Sequence, residues 1–183
     1  MFIKKLFIAF VFFTFLGEFA LADETIKAEN NAYRHNNKGL IYVREKYYYG
    51  AIKEFKMAID LNPETQAAAV YYTNLGNTYE TIGYSNLAQP CFEKAVTLNA
   101  LCFEHYLNLA KNYKKLGIVS EKITEFSSKT NSPLNAIMVG LLYIQNGNKN
   151  TGITILDEFC NSEPNLMITA GVKNYIKQIS SKS

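Results

Sequence analysis

The chain has 183 residues, 48% hydrophobic and 19% charged, a balance that excludes a disordered polymer and allows one domain with a sizeable core. Its formal charge is only +3, and removing the first 22 residues takes away Lys4, Lys5 and Glu18, so that 19 basic and 16 acidic side chains become 17 and 15. That excludes the strongly cationic footprint of a nucleic-acid binder.

Lys4 and Lys5 precede an apolar run from Leu6 to Leu16, broken only by Thr14, and Ala20-Leu21-Ala22 places small residues ahead of Asp23. This is the pattern of a secretory signal peptide over 1–22, with cleavage expected after Ala22. The run is too short to span a membrane as a helix, which needs ~20 apolar residues. The mature chain is therefore expected to be periplasmic or secreted, meeting a membrane only during export or through an uncleaved signal. No Cys lies near the cut, so lipid attachment is not expected. Residues 23–31 are polar and read as a flexible leader to a domain over 32–183.

Within that domain a pattern recurs. "YYTNLGNTY" places Tyr72, Leu75, Gly76 and Tyr79 at set intervals, and 34 residues later Tyr106, Leu109, Ala110 and Tyr113 stand in the same places, with Gly117 matching Gly83. Such an offset marks a structural repeat. "HNNKGLIY" gives an earlier copy through Gly39 and Tyr42, with His35 and Lys38 replacing the aromatic and the leucine, and Gly140, Tyr143 and Gly147 give a later one. The second half of each unit agrees: Ala51, Phe55 and Ala58, then Ala88, Phe92 and Ala95, lie at i, i+4 and i+7, one face of a helix. Pro63 and Pro164 close the first and fourth copies. The repeats fall at about 32–65, 69–102, 103–132 and 133–166.

These residues resemble the tetratricopeptide repeat family, whose signature is W-x2-L-G-x2-Y on a first helix, A-x3-F on a second and a closing Pro. The resemblance covers about residues 32 to 166 and implies an all-α solenoid of about four helix-turn-helix repeats. A capping helix over 167–181 follows, where Ile168, Val172, Tyr175, Ile176 and Ile179 form an apolar stripe. The copies depart from the family in places. The third keeps Phe126 but has Lys122 and Lys129 where small residues are expected. Gly39 to Gly76 spans 37 residues and Ala110 to Gly140 only 30, so irregular junctions are expected after Pro63 and in the third unit. Ser132-Pro133 predicts a capped start for the fourth unit's first helix, and Pro90 predicts a kink or late start in the second unit's second helix.

The resemblance implies a non-enzymatic adaptor in the bacterial cell envelope that binds a protein or peptide on its concave face, as family members typically do. Counting from the signature, the inward positions are Tyr33, Asn36, Leu40, Val43 and Arg44, then Val70, Thr73, Asn74, Asn77 and Glu80, then Glu104, Leu107, Asn108, Lys111, Lys114 and Lys115. A ladder of Asn74, Asn77 and Asn108 could bond a peptide backbone. The cationic parts of the family's carboxylate clamp are missing, because Asn36, Leu40, Glu104 and Asn108 stand at the remaining clamp places. No nucleic acid, cofactor, metal or small-molecule substrate is expected.

The fourth unit's first helix is apolar nearly all round, through Leu134, Ile137, Met138, Leu141, Leu142 and Ile144. The capping helix is its expected cover; otherwise an apolar patch is left for a partner or a second copy of the chain. Cys91, Cys102 and Cys160 are odd in number, so at least one is unpaired or bonds another chain. Buried apolar packing is their expected role, and Cys91 to Cys102 is the bridge to consider if the chain turns back between them. The alternative function is a thiol-redox or metal-binding envelope protein using Cys102 and His105, whose imidazolium could lower the thiol pKa. No phosphate loop, nucleophile signature or zinc-protease motif is present.

Overall fold

The computed structural model describes residues 24–129 and 131–181, and all regular structure among them is helical. The signal-peptide reading lies outside the described residues. The first helix, α1, covers 24–44, so residues 24–31 of the expected flexible leader are instead its opening turns. Polar composition does not prevent this, since the stretch holds no Gly or Pro and Ala32 one turn on is fully buried.

Eight further helices follow: α2 (Tyr48–Leu61), α3 (Gln66–Thr81), α4 (Ser85–Leu98), α5 (Phe103–Leu116), α6 (Val119–Ser127), α7 (Leu134–Gln145), α8 (Lys149–Ser162) and α9 (Met167–Ser180). The first eight form four consecutive hairpins. Close approach in three of the four pairs rests on a small residue facing a large one. A Cβ on Gly39 would lie 2.5 Å from the Phe55 ring, one on Gly76 2.7 Å from the Phe92 ring, and one on Gly140 2.7 Å from Leu156, which replaces the aromatic in the fourth pair.

The turns between paired helices also repeat. Tyr47, Tyr84, Ile118 and Asn148 each donate a backbone N–H to the carbonyl five residues back, at 2.8 to 3.1 Å, closing the helix end. Glycine occupies the left-handed position before three of these residues, and Lys46, with φ of 60°, does so in the first pair.

The expected irregularities fall after Pro63 and in the third unit, where the spacing places them. Ten residues of α3 precede Gly76, against seven of α5 before Ala110. The three extra residues after Pro63 thus form an additional turn of helix, started by the Thr65 hydroxyl, which accepts from Ala68 N–H at 3.2 Å. In the third pair the shortage falls on α6 itself, only 9 residues long. Lys122 fits at a small-residue position there by lying over the Tyr113 ring and pairing with Glu125 at 2.7 Å. Helix α4 runs from Ser85 straight through Pro90, so the expected late start does not occur. The Ser132 hydroxyl accepts from Leu134 N–H at 3.3 Å, but α7 begins at Leu134 with Pro133 in the cap position, one residue later than expected.

Helix α7 buries Ile137, Met138, Leu141 and Leu142. Its cover is α5, α6 and α8, whereas α9 rests mainly on α8 and α5. The expectation that the capping helix covers α7 is therefore corrected, and so is that of an open patch there for a second copy.

Candidate interaction groove

The inward positions named from the signature separate into three groups. Asn36, Thr73 and Leu107 are buried inside the chain, which corrects their assignment as groove-lining contacts. Each is used in packing one first helix against another part of the fold. Asn74 and Glu80 are half-buried and committed to internal partners. Tyr33, Leu40, Arg44, Val70, Asn77, Glu104, Lys111, Lys114 and Lys115 are exposed, with Val43 and Asn108 half-buried.

The internal bonds explain the first two groups. Asn74 Nδ2 donates to Asn36 Oδ1 at 2.8 Å, tying α3 to α1. This removes Asn74 from the expected asparagine ladder, because its amide already serves the partner that burial of Asn36 requires. Between α3 and α5 the joint is also polar. The Thr73 hydroxyl donates to Ala69 O at 2.9 Å and so receives the Nδ1 proton of His105, also at 2.9 Å. That fixes His105 as the Nδ1–H tautomer and leaves Nε2 buried without a partner. Glu80 accepts from Asn112 Nδ2 and from Lys115 Nζ, and Asn112 Nδ2 also donates to Ser85 O at 3.0 Å.

Burial pushes the pKa of His105 down, which favours the neutral ring. The redox reading of Cys102 relied on an imidazolium at His105, and this geometry takes that away. Cys91, Cys102 and Cys160 are all free thiols, and burial raises the Cys91 thiol to about 11. No cluster of three or more metal-ligating side chains occurs among the described residues.

Two clefts border the first helices. One, of about 170 Å³, lies between α1 and α3, with Leu40, Val43 and Phe55 forming apolar walls and Asn77, Thr78 and Thr81 a polar side. Thr78 and Thr81 donate their hydroxyls to carbonyls of their own helix, Asn74 O at 2.7 Å and Asn77 O at 2.8 Å. Thr81 was missed by the signature count, although it stands one turn beyond Asn77 on the same face. The other cleft, of about 460 Å³, lies between α5 and α9, bordered by Phe103, Glu104 and Leu107 on one side and Gly171, Asn174, Tyr175 and Gln178 on the other. Its α9 wall carried no site signal in the sequence, since periodicity shows which face of a helix is apolar but not which neighbour it meets.

The first helical pair is held by a buried carboxylate. Glu54 accepts from His35 at 2.7 Å and pairs with Lys38 at 2.8 Å. Both replace residues of the signature, so the unusual His35 and Lys38 substitute an ionic joint for an apolar one.

The tetratricopeptide repeat profile matches residues 32–65 and 69–100. No curated protein sequence matches the chain. Among solved structures, a tetratricopeptide repeat protein from Parabacteroides merdae is 16% identical with a TM-score of 0.52, the match covering 84% of this chain and 61% of that one. Pseudomonas aeruginosa pilF is 16% identical with a TM-score of 0.50, covering 79% and 67%. YrrB, described as having an unusual peptide-binding site, is 20% identical with a TM-score of 0.47, covering 78% and 74%. The first two likenesses support the helical-repeat fold.

Proposed function

We propose that this chain, which carries tetratricopeptide repeats at 32–65 and 69–100, is a non-enzymatic scaffold that holds a segment of another protein on its concave face. The observation that carries this reading is the cleft between α1 and α3. Its apolar walls at Leu40 and Val43 suit an aliphatic side chain of a bound peptide, and the exposed Asn77 amide offers a donor and an acceptor to the peptide backbone. Because Asn74 is held by Asn36, the wall is set before a ligand arrives, which lowers the ordering cost of binding. Lys111 and Lys114 continue the same surface with positive charge. Arg44 stands exposed at the end of α1 and extends it at the other edge. The N-terminal basic and apolar pattern supports an envelope location, with a mature chain that begins at Asp23.

The test is selection of peptide ligands from a displayed random library against the mature chain, followed by affinity measurements on variants with unchanged helicity. Asn77→Arg and Leu40→Arg should each weaken the selected peptides at least about tenfold, a loss of ~1.4 kcal/mol. Equal affinity in both variants would remove the cleft as the site. Location is tested separately by N-terminal sequencing of the chain from an envelope fraction, with Asp23 the expected first residue.

A further inference from the structure

Helix α9 belongs to no hairpin, and the cleft it leaves against α5 is chemically unlike the one between α1 and α3. Its buried residues Ile168 and Val172 fix it in place, and the Ile179 carbonyl accepts from Lys149 of α8 at 2.7 Å. Where it crosses α5, Gly171 lies so close that a Cβ there would fall 2.9 Å from Phe103 Cβ. The Phe103 and Tyr175 rings meet beside it, 5.3 Å apart at their centroids and inclined at 48°. They form an aromatic corner of the 460 Å³ cleft, and Leu107 adds an apolar wall.

The polar side of this cleft is uncommitted. In the other cleft Thr78 and Thr81 donate their hydroxyls to carbonyls of their own helix. Here Glu104, Asn174, Tyr175 and Gln178 border the space, and among the described residues none of these side chains has a hydrogen bond or an ion pair within the chain. Among the lining residues Glu104 alone is charged. Burial raises the pKa of Tyr175, so its hydroxyl keeps its proton near neutral pH and brings no second negative charge.

A ligand in this cleft therefore meets one carboxylate, two rings whose faces are electronegative, and two amides that both donate and accept. The carboxylate and the rings attract positive charge and repel negative charge. A bare divalent ion is a poor fit, because Ca²⁺ or Mg²⁺ takes about six or more oxygen ligands and the lining offers a single carboxylate. A methylated ammonium fits better, since aromatic faces bind such cations through attraction to the ring quadrupole.

We infer that the cleft between α5 and α9 is a binding site for a small organic ammonium ion, its charge held by Phe103, Tyr175 and Glu104 and its polar substituent by Asn174 and Gln178. Half of this lining comes from a helix outside the repeats, and the ligand is not a peptide. The site stands whether or not the cleft between α1 and α3 holds one.

The test titrates the mature chain with choline and follows backbone amide shifts by NMR, with 3,3-dimethyl-1-butanol as the uncharged probe of the same shape. Choline should give saturable shifts confined to the start of α5 and to α9, with a Kd on the order of 1 mM. The uncharged probe should bind at least about fivefold more weakly. Glu104→Gln and Tyr175→Leu should each weaken choline at least about threefold. Glu121→Gln removes an exposed carboxylate of α6 and should change nothing, which separates a local site from attraction to overall charge. Asn77→Arg should also leave choline binding unchanged, so that this site and the peptide cleft fail separately. Equal binding of the two probes would overturn the ammonium ligand. Choline shifts that do not saturate, or that survive both Glu104→Gln and Tyr175→Leu in folded protein, would overturn the site.

Discussion

Helices α1 to α4 and helices α5 to α9 are built from the same repeat but solve opposite problems. In the first group two hairpins of nearly matching geometry meet through polar bonds, Asn36 to Asn74 between first helices and Glu54 to His35 and Lys38 within a pair. The cleft between α1 and α3 stays open. In the second group α6 is short, α7 is enclosed by three helices, and α9 lies over α5. The contrast teaches that units built to one signature can leave a cleft between first helices in one half and pack a first helix against three neighbours in the other.

The largest break in this comparison should come from the enclosed helix. Leu141→Ala removes a fully buried side chain of α7 and should cost about 2–5 kcal/mol. Because repeats communicate mainly with neighbours, amide hydrogen exchange should rise across α7 to α9 while α3 and its partner α4 keep most of their protection. Equal loss in both groups would mean that the chain is one cooperative unit.

Gly76→Val tests the other group. Its added bulk meets the Phe92 ring, and the clash should cost about 1–3 kcal/mol in chemical denaturation, with exchange rising first in α3 and α4. Lys46→Gly should act in the opposite direction. Lys46 carries the left-handed backbone that glycine carries in the other three turns, so relief of about 1 kcal/mol is expected in a denaturation midpoint.

The smallest effect is the pH dependence of the joint between the two groups. The unfolded chain takes up a proton at His105 near the ordinary value of 6.5, while burial holds the folded imidazole off to lower pH. The unfolded state then binds more protons, so stability falls as pH drops below about 6.5. His105→Gln should flatten that slope. A second acid loss belongs to the first pair. Burial works to raise the Glu54 carboxyl, but the hydrogen bonds from His35 and Lys38 and the charge of Lys38 outweigh it and hold the pKa below the usual 4.5. The stability from that carboxylate is present above the unfolded value and lost as pH falls through the lower folded one. Melting curves from pH 7 downward should therefore show the joint respond first and the α1–α2 pair later.

Periodicity made the repeat fold readable, because Gly39, Gly76, Phe55 and Phe92 face one another by local helix geometry alone. It also placed Leu40, Asn77 and Lys111 on the exposed surface. It failed at Asn36, Thr73, Leu107 and Glu80, where the partner comes from a helix tens of residues away or from burial by a neighbouring element. Polar residue type suggested solvent or ligand contact, and only the assembled joint revealed Asn74, His105 and Asn112 as the partners. The place of α9 was hidden for the same reason. A glycine in the middle of its sequence was the one local hint that another helix comes close.

The turn between α8 and α9 spans only residues 163–166. A helix on so short a tether is present at its own docking face at an effective concentration on the order of millimolar. Detached by a local opening, α9 therefore returns to its seat without meeting competition from any free helix at micromolar levels, and the closing of this end of the array should not depend on protein concentration.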